Sequence, residues 1–306
     1  MPARNAPLAA AALLCVIQSS GAASAQGGPP DRSWGGQVQI GAAWMSSAGL
    51  ASGGDVSSNR WFVQPGVSYL GADWGSVGLA VGYGEASYDF SGGAGLGGGE
   101  PWNRIRELQV SVPIRIEASA RTEIFVIPSL RYDAESGAGL SDGQTWGVLA
   151  GVSWDISDRL RLGPGIGWFS KLEESDSVIP IVLIDWEISE RWSLTTGELF
   201  GATRGPGLSL NWQASEDWQI GLTARYESIQ FRLDDNGPAP GGVGEDEFVP
   251  IVLGARWEPN PLFRASVFAG VQTGGKLRLY DAAGTRVAES DYDTAPLFGM
   301  TARLRF

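Results

Sequence analysis

Apolar and polar residues alternate along most of this chain. In its last twelve residues Phe298, Met300, Ala302, Leu304 and Phe306 take every second place, with Gly299, Thr301, Arg303 and Arg305 between them. Side chains on a strand alternate faces, so the segment has one apolar and one cationic face. The same period runs through Leu108, Val110, Val112, Ile114 and Ile116, opposed by Glu107, Gln109, Ser111, Pro113 and Arg115. It returns in Trp218–Tyr226 and in Phe263–Val271. A period of two predicts strands throughout. Arginines on one face and phenylalanines on the other suit a sheet with lipid on one side and a polar lumen on the other.

Fourteen such strands follow one another from Trp34 onward. The eighth, Val178 to Glu187, is apolar on both faces. The ninth begins at Trp192, and its apolar face would carry Glu198, which requires either a bulge or a place at the rim. Merging the ninth and tenth strands into one irregular hairpin would leave about twelve. The segments starting at Trp154, Trp186 and Trp212 repeat one unit, WDISDRL, WEISERW and WQASEDW, and WEPNPLF from Trp257 is a looser copy. Each reads as strand end, tight polar turn and strand start, so the repeat predicts an antiparallel meander with tryptophans at one membrane interface. Short connections alternate with longer ones, among them Ser46–Asn59, Asp234–Glu247 and Asp281–Asp293. Pro65, Pro113, Pro180, Pro206, Pro250 and Pro296 are expected at strand beginnings or bulges on the outer rim.

The two ends agree with this pattern. Arg4, an apolar run from Leu8 to Ile17 and Ala23-Ser24-Ala25 make residues 1–25 a secretory signal peptide. Residues 26–33 form a short periplasmic leader, and 34–306 the barrel. Cys15 is the only cysteine and lies inside the signal, so no disulfide is expected. Mean hydropathy is only −0.05, because each spanning strand is apolar on one face alone. The signal, the alternating strands and the terminal Phe306 resemble the Gram-negative outer-membrane β-barrel proteins. The tryptophan hairpins and the GPGLSLNW segment are similar to proteobacterial barrel proteins of unknown function. The resemblance implies an all-β, transmembrane, antiparallel up-and-down barrel in the outer membrane. It also implies that the closing strand and Phe306 serve as the signal read by the barrel-assembly machinery.

Chemistry is sparse. The chain has no histidine, which excludes a Ser-His dyad or an Asp-His pair. Asp185 with Glu187, or Glu173 with Glu174, are the candidate carboxylate pairs for acid–base work, and ion pairing or solvation explains both. Neither Gly163–Gly167 nor Gly92–Gly99 opens a helix as a phosphate loop does. No cofactor and no metal are expected. A net charge of −12 argues against nucleic acid as a partner. By strand parity Arg115, Arg131, Arg161, Arg225, Arg256, Arg264, Arg303 and Arg305 point into the lumen. So do Glu107, Glu123, Asp155, Asp185, Glu187 and Glu227. Acidic residues such as Glu245, Asp246, Glu289 and Asp291 read as solvated loop charge.

Three functions fit. A fourteen-strand barrel lies between filled and water-open sizes, which suits a passive or modestly selective diffusion channel for small solutes, with the inward charges as its lining. The bulky inward residues Phe62, Phe125, Ile127, Leu149, Phe169 and Phe268 suit a closed structural or adhesive barrel instead. The same aromatics could line a path for an apolar solute. An enzyme is not expected, and outer-membrane lipid is the environment under all three readings.

Overall fold

The computed structural model describes residues 33–71, 74–92, 96, 99–197, 200 and 206–306. The signal segment therefore lies outside the described residues, as does Glu198. Fourteen staves form one closed antiparallel sheet. They are β1 Ser33–Gly49, β2 Asp55–Gly71, β3 Gly75–Ser91, β4 in two pieces (Arg104–Ser111 and Ile114–Ser119), β5 Thr122–Glu135, β6 Gln144–Ser157 and β7 Leu160–Phe169. The second half has β8 Ser177–Glu187, β9 Trp192–Thr195, β10 Gly207–Gln213 and β11 in two pieces (Trp218–Arg225 and Glu227–Arg232). It continues with β12 Val243–Asn260, β13 Phe263–Tyr280 and β14 in two pieces (Arg286–Tyr292 and Ala295–Arg305). β1 pairs with β14 from Gln37↔Arg305 to Met45↔Leu297, which closes the ring. Closure leaves no sheet edge for lipid to solvate, the condition under which a sheet can span a membrane.

Alternation places the apolar residues outside. Ile40, Leu79, Leu130, Ile166, Leu222, Leu253, Val267 and Leu304 are all exposed on the barrel wall. Two aromatic girdles bound this belt. Trp34 with Tyr69, Trp192 with Trp212 and Trp218 with Trp257 mark the lower edge. Trp44 with Phe298, Trp61 with Tyr83 and Trp146 with Trp168 mark the upper edge. Trp34 and Trp44 are ten residues apart on β1; at roughly 3.3 Å per residue and about 40° of tilt, the belt is ~25 Å tall. Fourteen strands spaced by ~4.8 Å at that tilt enclose a ring about 28 Å across, measured between backbones.

Several expectations about the connections need correction. The segment Ser46–Asn59 is largely strand, because β1 runs to Gly49 and β2 starts at Asp55. Likewise β12 begins at Val243 and the first piece of β14 covers Arg286–Tyr292, so part of each expected acidic loop is strand projecting above the membrane. The reading of Pro65, Pro113, Pro180 and Pro250 as rim residues is also corrected. Pro65, Pro180 and Pro250 lie inside β2, β8 and β12, and Pro113 splits β4 in two. Each lacks an N–H, so the ladder misses a bond there but the stave continues. The expectation of a strand beginning holds for Pro206 and Pro296, which stand at the start of β10 and of the lower piece of β14.

Above the outer girdle the wall changes shape. The upper piece of β11 leaves the ring and crosses to β5, where Arg232 and Ala134 pair in parallel. Nine staves, β1–β5 and β11–β14, thus close on themselves as a narrower upper barrel. The other staves stop lower, and the outward-facing Tyr226 of β11 packs against inward-facing Phe169 and Ile179 of β7 and β8. The upper barrel is filled. Phe231, Leu277 and Leu279 are fully buried, and Val56, Tyr88, Phe90, Trp102 and Ile229 join them in one core. Burying a side chain of this kind stabilises by about 1.5–3 kcal/mol, so the upper barrel is a folded body and not a ring of loops. On β13, Gly274 at φ +61° and a bulge opposite β12 reverse the parity, which turns Leu277 and Leu279 inward.

Candidate functional site

The lumen has three levels, and each is built by inward positions of the staves. At the periplasmic end the predicted charges form two groups. In the first, Arg115 Nη1 donates to Glu123 Oε1 at 2.8 Å and Arg161 Nε donates to Asp155 Oδ1 at 2.6 Å. Arg161 also reaches Glu123 Oε2 at 3.6 Å, which ties β4, β5, β6 and β7 together. Asp185 and Glu187 continue this group on β8, where both are exposed. In the second, Arg264 Nε donates to Glu258 Oε2 at 2.7 Å. Arg303 stands opposite Arg264 in one register and Gln39 in the other, and Arg305 stands opposite Gln37.

The middle level is narrow. Ala43, Phe62, Ala80, Ile127, Leu149, Ser209, Thr223, Val252 and Phe268 face inward from nine staves, and all are buried. The phenylalanines do not project to the axis. Phe62 lies across Gly41, its register partner on β1; Phe125 lies across Gly151 on β6, and Phe268 across Gly299 on β14. A ring over a glycine on the next strand replaces the missing side chain and keeps the wall smooth. Phe200 packs over Gly221 and Gly254 in the same manner, under the guanidinium of Arg256, whose Cζ is 4.7 Å from the ring. Arg225 donates to the Phe200 carbonyl, and its Nη1 is 3.9 Å from Glu227. Arg256 Nη1 donates to Gln219 Oε1 at 2.8 Å. A cavity of about 30 Å³ remains between Met45, Phe200, Arg225, Phe248, Phe268 and Leu297, enough for a water or two.

The upper level holds charge that parity reasoning missed. Asp246 is 1% exposed and accepts from Tyr88 at 2.8 Å and from Tyr292 at 2.9 Å. Gln272 donates to the Tyr292 hydroxyl at 2.7 Å. Arg60 donates to the Tyr88 hydroxyl at 3.4 Å, lies 3.7 Å from Glu107, and is within electrostatic reach of Asp246 and Glu227. Burial pushes the Asp246 carboxyl up to about 6, against the opposing pull of Arg60 and the two tyrosine hydroxyls. Its reading as solvated loop charge is therefore corrected. Glu245 is corrected too: it faces the outside of the upper barrel but is covered there, 3.0 Å from Arg278 Nη1. Glu289 is a strand residue paired with Arg278 Nε at 3.1 Å, and Asp291 is paired with Lys276 at 3.0 Å. Arg60 was findable, since it stands two residues before Phe62 on the inner face of the second strand. Arg131 pairs with Asp133 at 3.0 Å on the inner face of β5.

Phe306 ends the lower girdle, 73% exposed, and exchanges backbone bonds of 2.7 and 2.9 Å with Gly36. Among the described residues no group of histidine, cysteine or carboxylate side chains is placed to hold a metal ion.

No family model and no curated protein matches this sequence. Among solved structures, a Pseudomonas aeruginosa FadL homologue is 10% identical, with 89% of this chain and 90% of that one covered at a TM-score of 0.46. The toluene transporter TodX from P. putida is 9% identical, with 89% and 90% covered at 0.45. The translocator domain of the autotransporter NalP from Neisseria meningitidis is 14% identical, with 89% and 88% covered at 0.41. These are resemblances of shape and carry no functional assignment. The closed ring, its lipid-facing apolar belt and its two aromatic girdles make this chain a fourteen-stave β-barrel protein of the outer membrane.

Proposed function

We propose that the protein is a diffusion channel for small polar solutes that rests closed at its outer mouth. The observation behind this reading is a line of polar groups through the packed interior. It runs from Arg256 and Gln219 to Arg225 and Glu227, on to Arg60 and Glu107, and ends at Asp246 with its two tyrosines. Ion pairs buried this way stabilise no better than apolar packing of equal volume. A barrel filled only for strength has no use for them, whereas a solute path does. The closure is the crossing of β11 to β5. Arg232 holds it by donating to the Asp142 and Gly241 carbonyls, both at 3.0 Å, and to Glu173 at 2.6 Å. The predicted inward charges then line the route on the periplasmic side of the closure.

Single-channel recording of the purified chain in planar bilayers tests this. The expected result is brief, infrequent current steps for the natural chain and longer open times for Arg232→Ala. Silence from both proteins, together with no solute flux in proteoliposomes, would leave the closed structural barrel. That second reading draws on the packed aromatic core of the upper barrel.

A further inference from the structure

The charges at the periplasmic end of the lumen are sorted by sign around the ring. β12 to β14 carry Arg264, Arg303 and Arg305 against Glu258: three cations and one anion, a net charge of +2. β4 to β8 carry Glu117, Glu123, Asp155, Asp185 and Glu187. Against those five stand Arg115, Arg161 and, at the turn between β4 and β5, Arg121, which acts on the charge of Asp155, so this arc has a net charge of −2. The arcs between are uncharged on their inner faces. Gln37, Gln39 and Ser68 fill one on β1 and β2; Ser193, Gln213 and Gln219 fill the other on β9 to β11. The arcs are centred on β13 and β6, seven staves apart in a ring of fourteen, and so face each other across the lumen. The turns below carry Asp158 beside Arg159, Glu190 beside Arg191, and Glu216 with Asp217 between β10 and β11.

We propose that this end of the lumen is a binding vestibule for small zwitterions that carry an ammonium and a carboxylate at opposite ends. Across a ring about 28 Å wide, side chains reaching in from both walls leave a gap of roughly 15 Å. That exceeds the ~8 Å over which physiological salt screens charge, so neither arc cancels the other through water. A simple anion gains from one arc and a simple cation from the other, with no preference between them. Only a molecule with both ends gains from both. An extended peptide of three or four residues, at ~3.3–3.6 Å each, has the matching length. Passage of a bound peptide across the membrane rests on the channel reading, but binding itself does not need the channel to open.

The test is calorimetry on the detergent-solubilised full chain with tetraalanine, its N-acetyl form and its C-terminal amide. Free tetraalanine is expected to bind tightest, with roughly a fivefold loss for each blocked end, the size of one solvent-exposed ion pair. The preference should fade in 1 M salt. Arg303→Gln with Arg305→Gln should abolish the distinction between acid and amide and keep that between amine and acetyl. Asp185→Asn with Glu187→Gln should do the reverse. Equal binding of all three peptides, no binding of any, a preference indifferent to salt, or a variant that alters both distinctions would each overturn the proposal. Selective binding by a chain that passes no current would keep the vestibule and remove the channel.

Discussion

Asp246 has a role no side chain on the lipid face could have. Its folded pKa of about 6 lies above the ordinary 3.8, so the folded chain binds the extra proton between those values. Its contribution is therefore fully present below pH 3.8 and is lost as pH rises through 6. Ionising it at neutral pH costs up to about 3 kcal/mol. Urea unfolding at pH 5 and pH 8 should show the natural chain weaker at the higher pH, and Asp246→Asn should remove most of that difference. An unchanged slope would mean that Asp246 stays solvated. The glycine–aromatic pairs have a separate test. A side chain at Gly41 collides with the ring of Phe62. Gly41→Val should destabilise by about 1–3 kcal/mol through overpacking. Adding Phe62→Ala should recover part of that loss, which a double-mutant cycle on urea midpoints would measure.

β14 shows how parity acts along one stave. Leu304 is 51% exposed, while Arg303 and Arg305, on the alternate positions, stand opposite Gln39 and Gln37 of β1. Leu304→Arg should cost up to about 1 kcal/mol near the interface, more if it lies deeper. Arg305→Leu should leave the membrane face untouched. Deleting Phe306 removes the residue bonded to Gly36 and is expected to impair assembly. Heat-modifiable gel mobility and membrane-fraction yield of the three variants check these outcomes. A silent Leu304→Arg beside a damaging Arg305→Leu would invert the assignment of faces.

The barrel is two bodies sharing nine staves: a wide ring in the membrane and a narrow filled one above it. Their junction is the contact of β11 with β5. Arg232 and Ala134 are a register pair there, close enough for a disulfide. Ala134→Cys with Arg232→Cys should cross-link on mild oxidation and migrate faster on a non-reducing gel. In the bilayer assay the oxidised form should stay shut, and reduction should restore current steps. Cross-linking without any effect on current would confirm the crossing but place the permeation path elsewhere.

Period-two alternation was enough to specify the fold class, the fourteen staves and the exposed face of Leu304, because lipid and lumen impose opposite demands on neighbouring side chains. The tryptophan hairpins likewise located the lower girdle before any geometry was known. The upper barrel was not legible. Its strands carry Glu245 and Asp246 in a run that looks like solvated loop, and their burial depends on partners on other staves: Tyr88 for Asp246, and Arg278 for Glu245. The crossing of β11 to β5 was equally invisible, since Arg232 and Ala134 lie almost a hundred residues apart and nothing local marks the pair. Alternation reports which side of a wall a residue occupies. The residue standing across the lumen from it depends on how the wall closes, and the closure is set by packing between distant strands.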